Sequence, residues 1–184
     1  MKTLVILAHP RFESSRVNRA LAEAAEGEQG VTVRRLYELY PDGVIDVEAE
    51  QTAVEAADRI VLQFPMYWYS SPSLLKQWQD DVLTHGWAYG SKGKALVGKA
   101  LVGKELLIAV SPGAEEYGRE GAFTYTVTEL LRPFQATANR CNLTYVEPFA
   151  TIGSMRISDE QLAERARQYA AALTAPRPAL DRLG

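Results

Sequence analysis

Runs of consecutive apolar residues alternate with stretches in which apolar positions recur every three or four residues. Thr3–Ala8, Val31–Leu36, Arg59–Phe64, Glu105–Ser111 and Leu143–Ile152 read as five short strands. A continuous run such as Ile60-Val61-Leu62 marks a strand buried on both faces. Between strands, Val17, Ala20, Leu21 and Ala24 fall on one helical face, with Ser14 or Ser15 as the N-cap. Asp46–Ala57 is a short Ala-rich helix, and Leu75, Trp78 and Val82 predict another over about Ser73–Thr84. Val127, Leu130, Leu131, Phe134 and Ala138 form a stripe containing Pro133, which predicts a kink or two short helices. Leu162, Ala166, Tyr169, Ala170 and Leu173 make a last helix capped by Ser158. Tyr37–Val47, with Pro41-Asp42-Gly43, reads as a loop, and so does His85–Gly103.

A β-α unit repeated five times implies an α/β fold with a parallel sheet and helices on both faces. The doubly wound order 2-1-3-4-5 puts strands one and three at the switch point and strand four beside three. The loops at 9–18, 65–72 and 111–119 then converge at the carboxyl ends of those strands. A single domain over 1–174 is expected, with 175–184 as a loose tail.

Composition narrows the function classes. At 184 residues, with 47% hydrophobic and 23% charged residues, the chain is an ordinary soluble domain. A net charge of −3 leaves no footprint for nucleic acid or an anionic membrane. No apolar run approaches the roughly 20 residues of a membrane span. Met1–Ala8 is too short for a signal peptide and reads better as a strand. Cys141 is alone, which favours a cytoplasmic location. Two histidines, His9 and His85, and one cysteine argue against a structural zinc site.

The converging loops carry the chemistry. Loop 65–72, P-M-Y-W-Y-S-S-P, holds three adjacent aromatics between two prolines, a rigid stacking surface for a flat ligand. The alternative is that these rings only cap the sheet. Loop 9–18, H-P-R-F-E-S-S-R-V-N, has no glycine, so neither a P-loop nor a G-x-G-x-x-G fingerprint is present. It leads into a helix N-terminus, whose free amides and positive dipole suit a phosphate. Ser15 and Asn18 add donors, and His9 and Arg16 add positive charge. Ser15 also reads as a plain N-cap, and His9 as closing the strand end. A phosphate on one loop and a flat ring on the next describe flavin mononucleotide.

L-A-H-P with S-x-x-N, F-P-M-Y-W-Y-S-x-P-x-L-L-K-x-W, H-G-W-A-Y-G, E-E-Y-G-x-E-G and L-L-R-P-F-x-x-T-A-N occur in this order over residues 3–173. Together they resemble the flavodoxin-like NAD(P)H:quinone oxidoreductases. The chain is similar to the short bacterial members, which include ancillary flavoproteins of glutathione-gated potassium efflux systems. The resemblance implies a flavodoxin-like three-layer fold and a homodimer that binds FMN, with FAD as the fallback. Such a protein carries electrons from NAD(P)H to a quinone by a ping-pong route. His9, Ser15, Arg16, Val17 and Asn18 would hold the phosphate and ribityl end. Pro65, Met66, Tyr67, Trp68 and Tyr69 would line the ring. The family's fourth-strand loop reads T-T-G-G, whereas this chain has Ser111, Pro112, Gly113 and Ala114. The loop's position carries over, but Pro112 has no N–H to offer. Tyr117 is the candidate catalytic phenol, with a surface tyrosine as the plain alternative. Trp68, Trp87 and Tyr89 are candidate pocket walls, Trp87 equally an interface residue. A second reading is a regulatory subunit docked on a membrane potassium-efflux protein, peripheral at the inner membrane. An electron-carrying flavodoxin is a third, disfavoured by the mild charge.

Residues 93–107 read G-K-A-L-V, G-K-A-L-V, G-K-E-L-L. The identical first two blocks suggest a five-residue duplication, which the resembled family lacks. A surface loop absorbs it most easily. Gly103-Lys104 should keep the register into Leu106-Leu107-Ile108, leaving some of Leu96, Val97, Leu101 and Val102 poorly buried. The competing account is an added piece of structure that buries them.

Overall fold

The computed structural model describes residues 1–92, 95–96 and 98–180. In chain order the elements are β1 (Thr3–Leu7), α1 (Arg16–Glu26), β2 (Val31–Arg35), α2 (Leu36–Leu39), α3 (Val47–Glu55), β3 (Arg59–Pro65) and α4 (Ser73–Val82). They continue with β4 (Ser91–Lys92), β5 (Ala95–Leu96), β6 (Glu105–Ser111), α5 (Val127–Leu130), α6 (Arg132–Arg140), β7 (Thr144–Tyr145), β8 (Phe149–Ala150) and α7 (Asp159–Thr174). The main sheet runs β2-β1-β3-β6, with β7 and β8 both on the outer side of β6 and every pair parallel. This is the expected 2-1-3-4-5 order, its fifth strand in two pieces.

Side chains alternate across each strand, so β1 feeds two cores at once. Leu4 and Ile6 join Leu36, Val54, Leu75, Trp78 and Phe134 on one face. Val5 and Leu7 join Val17, Leu21, Phe149, Tyr169 and Leu173 on the other. α1 and α7 therefore share one layer, and α3, α4 and α6 the opposite one.

The expected caps and breaks are present. Ser15 Oγ accepts from the Asn18 amide at the start of α1, and Ser158 makes a capping box with Gln161 on α7. Pro133 falls at the N-terminus of α6, where a missing N–H costs nothing, and the stripe divides into α5 and α6. α4 is fixed from below by Glu50, which is fully buried. Its Oε1 accepts from Arg34 Nε at 2.8 Å, Arg34 Nη2 at 2.6 Å and the Tyr40 hydroxyl at 2.6 Å. Its Oε2 accepts from Trp78 Nε1 at 2.9 Å. One carboxylate thus ties β2 and α3 to the helix that follows the aromatic loop.

Four details differ from the sequence expectation. Leu36–Leu39 forms a one-turn helix where a loop was expected, because Leu36 turns into the core. The fifth strand breaks at Val146–Pro148. Pairing shifts from Glu105↔Thr144 to Ala109↔Phe149, so the outer strand holds one extra residue, a bulge. The tail is not loose over 177–180. The Leu180 amide donates to Tyr145 O at 2.8 Å, the Glu147 amide to Pro178 O at 2.9 Å, and Arg177 Nε to Glu147 O at 2.9 Å. This segment covers the open edge of the fifth strand. Finally, 85–103 is not all loop, since β4 and β5 form an antiparallel hairpin. Leu101 is fully buried and Val102 half exposed, and β6 keeps the register expected after Gly103-Lys104. Val97 and the side chain of Leu96 lie outside the described residues.

Candidate functional site

The three predicted loops meet. Loop 9–18 leaves β1, loop 65–72 leaves β3, and loop 111–119 leaves β6. Asn18 Nδ2 donates to Ser111 Oγ at 2.9 Å, which joins the first loop to the third. The Met66 amide donates to Ser111 O at 3.3 Å, which joins the second to the third. The His9 and Tyr67 rings stand edge to face at 6.5 Å, which joins the first to the second.

Each loop presents backbone N–H groups that make no hydrogen bond within the described residues, and an adjacent pair in each concerns the site. In the first these are Arg16 and Val17, ahead of the Asn18 amide taken by Ser15. In the second they are Trp68 and Tyr69. The flanking Tyr67 and Ser70 exchange two hydrogen bonds of 3.0 Å, closing a two-residue turn. Its central residues have φ of 47° and 62°. Positive φ is unfavourable for a side chain this large. The turn leaves Trp68 93% exposed. In the third loop, Pro112, Gly113 and Ala114 turn their carbonyls to the amides of Ser154, Met155 and Gly153 at 3.0–3.3 Å. The N–H groups of Gly113 and Ala114 remain unpaired, so the loop keeps adjacent donors despite the loss of one at Pro112. A methyl group on Gly113 would come within 2.9 Å of Met155 Sδ, so this position is close-packed.

Two buried oxygens here also have no partner, Asn18 Oδ1 and Thr151 Oγ1. Thr151 follows β8, whose Ala150 pairs with Val110, so it lies beside Ser111.

His9 and Arg16 do not supply the positive charge expected of them. Burial pushes the His9 pKa down, and the Arg11 charge adds to the effect. His9 is thus neutral at pH 7. Its Nδ1 accepts from the Arg11 amide at 3.1 Å, which leaves the proton on Nε2. Arg16 turns its guanidinium to the Ile157 carbonyl at 2.6 Å and to Asp159, so only its backbone faces the loop cluster's chemistry. Tyr117 stacks on Phe123 at 5.1 Å, and Phe123 meets Tyr69 at 6.3 Å. Burial and the neighbouring Tyr69 raise the Tyr117 pKa, so the phenol stays a proton donor.

Trp87 and Tyr89 are engaged elsewhere. Trp87 Nε1 donates to Glu55 Oε1 at 2.6 Å, and the Tyr89 ring lies under Arg140 at 4.9 Å. Two residues not expected at the site are Gln63, a polar residue inside an apolar strand, and Phe123, which completes the aromatic cluster. The lone amide in R-I-V-L-Q-F-P was the available signal.

Among the described residues no three His, Cys, Asp or Glu side chains gather as a metal site, and no helix is long and apolar enough to cross a membrane.

Comparison with known proteins gives neighbours that cover nearly the whole chain. The chain is 49% identical over 174 residues to the uncharacterized NAD(P)H oxidoreductase YrkL of Bacillus subtilis, covering 92% of this chain and 97% of that one. It is 44% identical over 167 residues to the glutathione-regulated potassium-efflux system ancillary protein KefF of Klebsiella aerogenes, covering 90% and 91%. Among solved structures it is similar to general stress protein 14 of Treponema denticola in complex with FMN (45% identity, 94% and 98% coverage, TM-score 0.86). It is also similar to an NADPH-quinone reductase from P. pentosaceus (35%, 95% and 98%, TM-score 0.84). A thermophilic tryptophan halogenase from Streptomycin violaceusniger superposes with TM-score 0.89 at 48% identity, covering 94% and 99%. The family model described as "Flavodoxin-like fold" matches residues 1–173, and with the sheet order and loop site above the chain belongs to that family.

Proposed function

We propose that this chain is an FMN-dependent NAD(P)H oxidoreductase that passes two electrons to quinones or similar acceptors by a ping-pong route. The observation that carries the reading is the meeting of three loops that each present unpaired backbone N–H groups, Arg16 and Val17, Trp68 and Tyr69, and Gly113 and Ala114 among them. They fit FMN group by group. The Arg16 and Val17 amides at a helix N-terminus suit the phosphate. The orphaned Asn18 Oδ1 is an acceptor matched by a ribityl hydroxyl. The Trp68, Tyr69, Gly113 and Ala114 amides suit the acceptors of the ring. Bound FMN would supply the hydride-accepting and two-electron-donating chemistry that this fold itself lacks.

The remaining work belongs to this chain's own residues. Ser15 caps α1 and holds its first turn. His9 offers a neutral Nε2–H. Pro65 and Met66 to Tyr69 form a rigid loop whose three rings offer a stacking surface for a flat ligand. Tyr117 keeps a proton on its hydroxyl and stabilises negative charge that develops nearby. Similar proteins include one named as an uncharacterized NAD(P)H oxidoreductase and one named as an NADPH-quinone reductase.

The chain acts as a cytoplasmic homodimer. Trp68, Tyr69, Tyr125 and Met155 leave exposed apolar surface around the loops, which a second copy would cover. The similarity to KefF favours a second role, docking on a membrane potassium-efflux protein; recovery with such a protein from solubilised membranes tests it.

Steady-state kinetics with NADPH or NADH and a soluble quinone test the main reading. Parallel double-reciprocal lines are expected. Intersecting lines would overturn the shared-site route. The same preparation given tryptophan and chloride tests the activity named for the halogenase neighbour.

A further inference from the structure

A chain of buried side-chain hydrogen bonds runs along the face of the sheet that α1 and α7 cover, beneath the loop cluster. The Tyr169 hydroxyl on α7 donates to Gln63 Oε1 at 3.0 Å. Gln63 Nε2 on β3 donates to the main-chain carbonyl of Asn18, in the first turn of α1, at 2.9 Å. Asn18 Nδ2 donates to Ser111 Oγ, at the end of β6, at 2.9 Å. Tyr169 and Gln63 are fully buried, and Asn18 and Ser111 nearly so.

The direction of each bond is set by its neighbours. Asn18 O can only accept, so it requires the NH₂ side of the Gln63 amide. Tyr169, donating to Oε1, fixes that orientation from the other end. Gln63 thus reaches the turn that carries the free Arg16 and Val17 amides, while Asn18 ties the same turn to β6. Burying four polar side chains is costly unless they are paired, and each of these four makes at least one bond in the chain, Asn18 Oδ1 being the acceptor left without a partner. Within the apolar strand R-I-V-L-Q-F-P a leucine or methionine would pack without such requirements.

We propose that Gln63 and Tyr169 are positioning residues for anion recognition. They hold the first turn of α1 so that its free amides stand ready for the phosphate group of the cofactor, although neither touches it. The inference rests on the FMN reading and adds two residues, one on the last helix of the chain.

The test separates positioning from general stability by comparing two flavins. FMN carries the phosphate; riboflavin has the same ring and ribityl chain without it. Apoprotein is titrated with each, and binding is followed by quenching of flavin fluorescence. Gln63→Met should weaken FMN roughly tenfold, the size of one well-placed buried hydrogen bond. Riboflavin affinity should fall by a much smaller factor than FMN affinity. Tyr169→Phe, which removes a single oxygen, should act in the same direction by a smaller factor, and keeps the test readable if Gln63→Met does not fold. Equal weakening of both flavins, or no change in either, would overturn the positioning role. Wild-type protein that binds FMN no better than riboflavin would remove the phosphate site from α1 and this inference with it. Wild-type protein that binds neither would overturn the FMN reading as well.

Discussion

Deleting Gly98–Val102 asks whether the duplicated block is needed. The two copies of G-K-A-L-V are identical, so removing either copy yields the same chain. The structure shows which place must be refilled. Leu101 is fully buried and joins Trp78, Phe134 and Leu106 around a cavity of about 20 Å³. A methyl group on Gly98 would come within 2.3 Å of the Tyr89 backbone, so that glycine is required where it stands. After deletion the surviving copy supplies both a glycine and a leucine to these places. The hairpin of β4 and β5, which holds part of the first copy, is what disappears. The connection from Gly90 to Lys104 shortens from 13 residues to 8. Closure entropy then falls by roughly 0.4 kcal/mol, in favour of the shorter chain. Leu101→Ala in the full-length chain gives the contrast, because it empties a core position at a cost of about 2–5 kcal/mol. Urea denaturation of both variants, with FMN content measured alongside, decides the matter. The deletion should match or slightly exceed wild type while Leu101→Ala falls well below it. A deletion that loses more than about 2 kcal/mol, or its flavin, would show that the copies are not interchangeable.

Further outcomes follow from single residues. Glu50→Ala leaves Arg34, Tyr40 and Trp78 without their common acceptor and should cost about 3–5 kcal/mol by chemical denaturation. Trp68→Asn places a residue that tolerates positive φ in the strained turn. It should raise apoprotein stability by about 0.5–1 kcal/mol while weakening flavin binding; stability below wild type would contradict the strain. His9 has a folded pKa below its ordinary 6.5, so its contribution is present above that pH and is lost as pH falls through the folded value. His9→Gln should therefore flatten the loss of stability on acidification below about pH 6.5, and an unchanged pH profile would refute the assignment. Tyr117→Phe should lower kcat with little change in FMN affinity, and an unchanged kcat would remove Tyr117 from the chemistry.

Much of the architecture was readable because strong local signals agreed with one another. The short apolar run within Glu105–Ser111 reads as a buried strand, and the structure places β6 on those residues. Ser15, Ser158 and Pro133 act through helix-end chemistry that depends on near neighbours alone. What escaped depends on distant partners. The bulge between β7 and β8 is set by pairing with β6, and the docking of residues 177–180 by an open strand edge. The site shows the same division. The loops' convergence follows from strand order, but the identity of the donors does not. Arg16 was expected to face the ligand as a cation, and Asp159, remote in sequence, takes its guanidinium. His9 was expected to be charged, and burial keeps it neutral. Gln63 carries a buried amide whose partners lie on α1 and α7, so sequence alone gives it no role.

The central claim is that the three loops hold a flavin which nicotinamide reduces and quinone reoxidises. Anaerobic mixing of the FMN-loaded protein with NADPH or NADH, followed by one equivalent of quinone, tests it most directly. The account predicts that the visible flavin absorption bleaches with one equivalent of nicotinamide and returns in full on adding quinone. Protein that is colourless after FMN loading and desalting, or whose colour survives both nicotinamides, would contradict it.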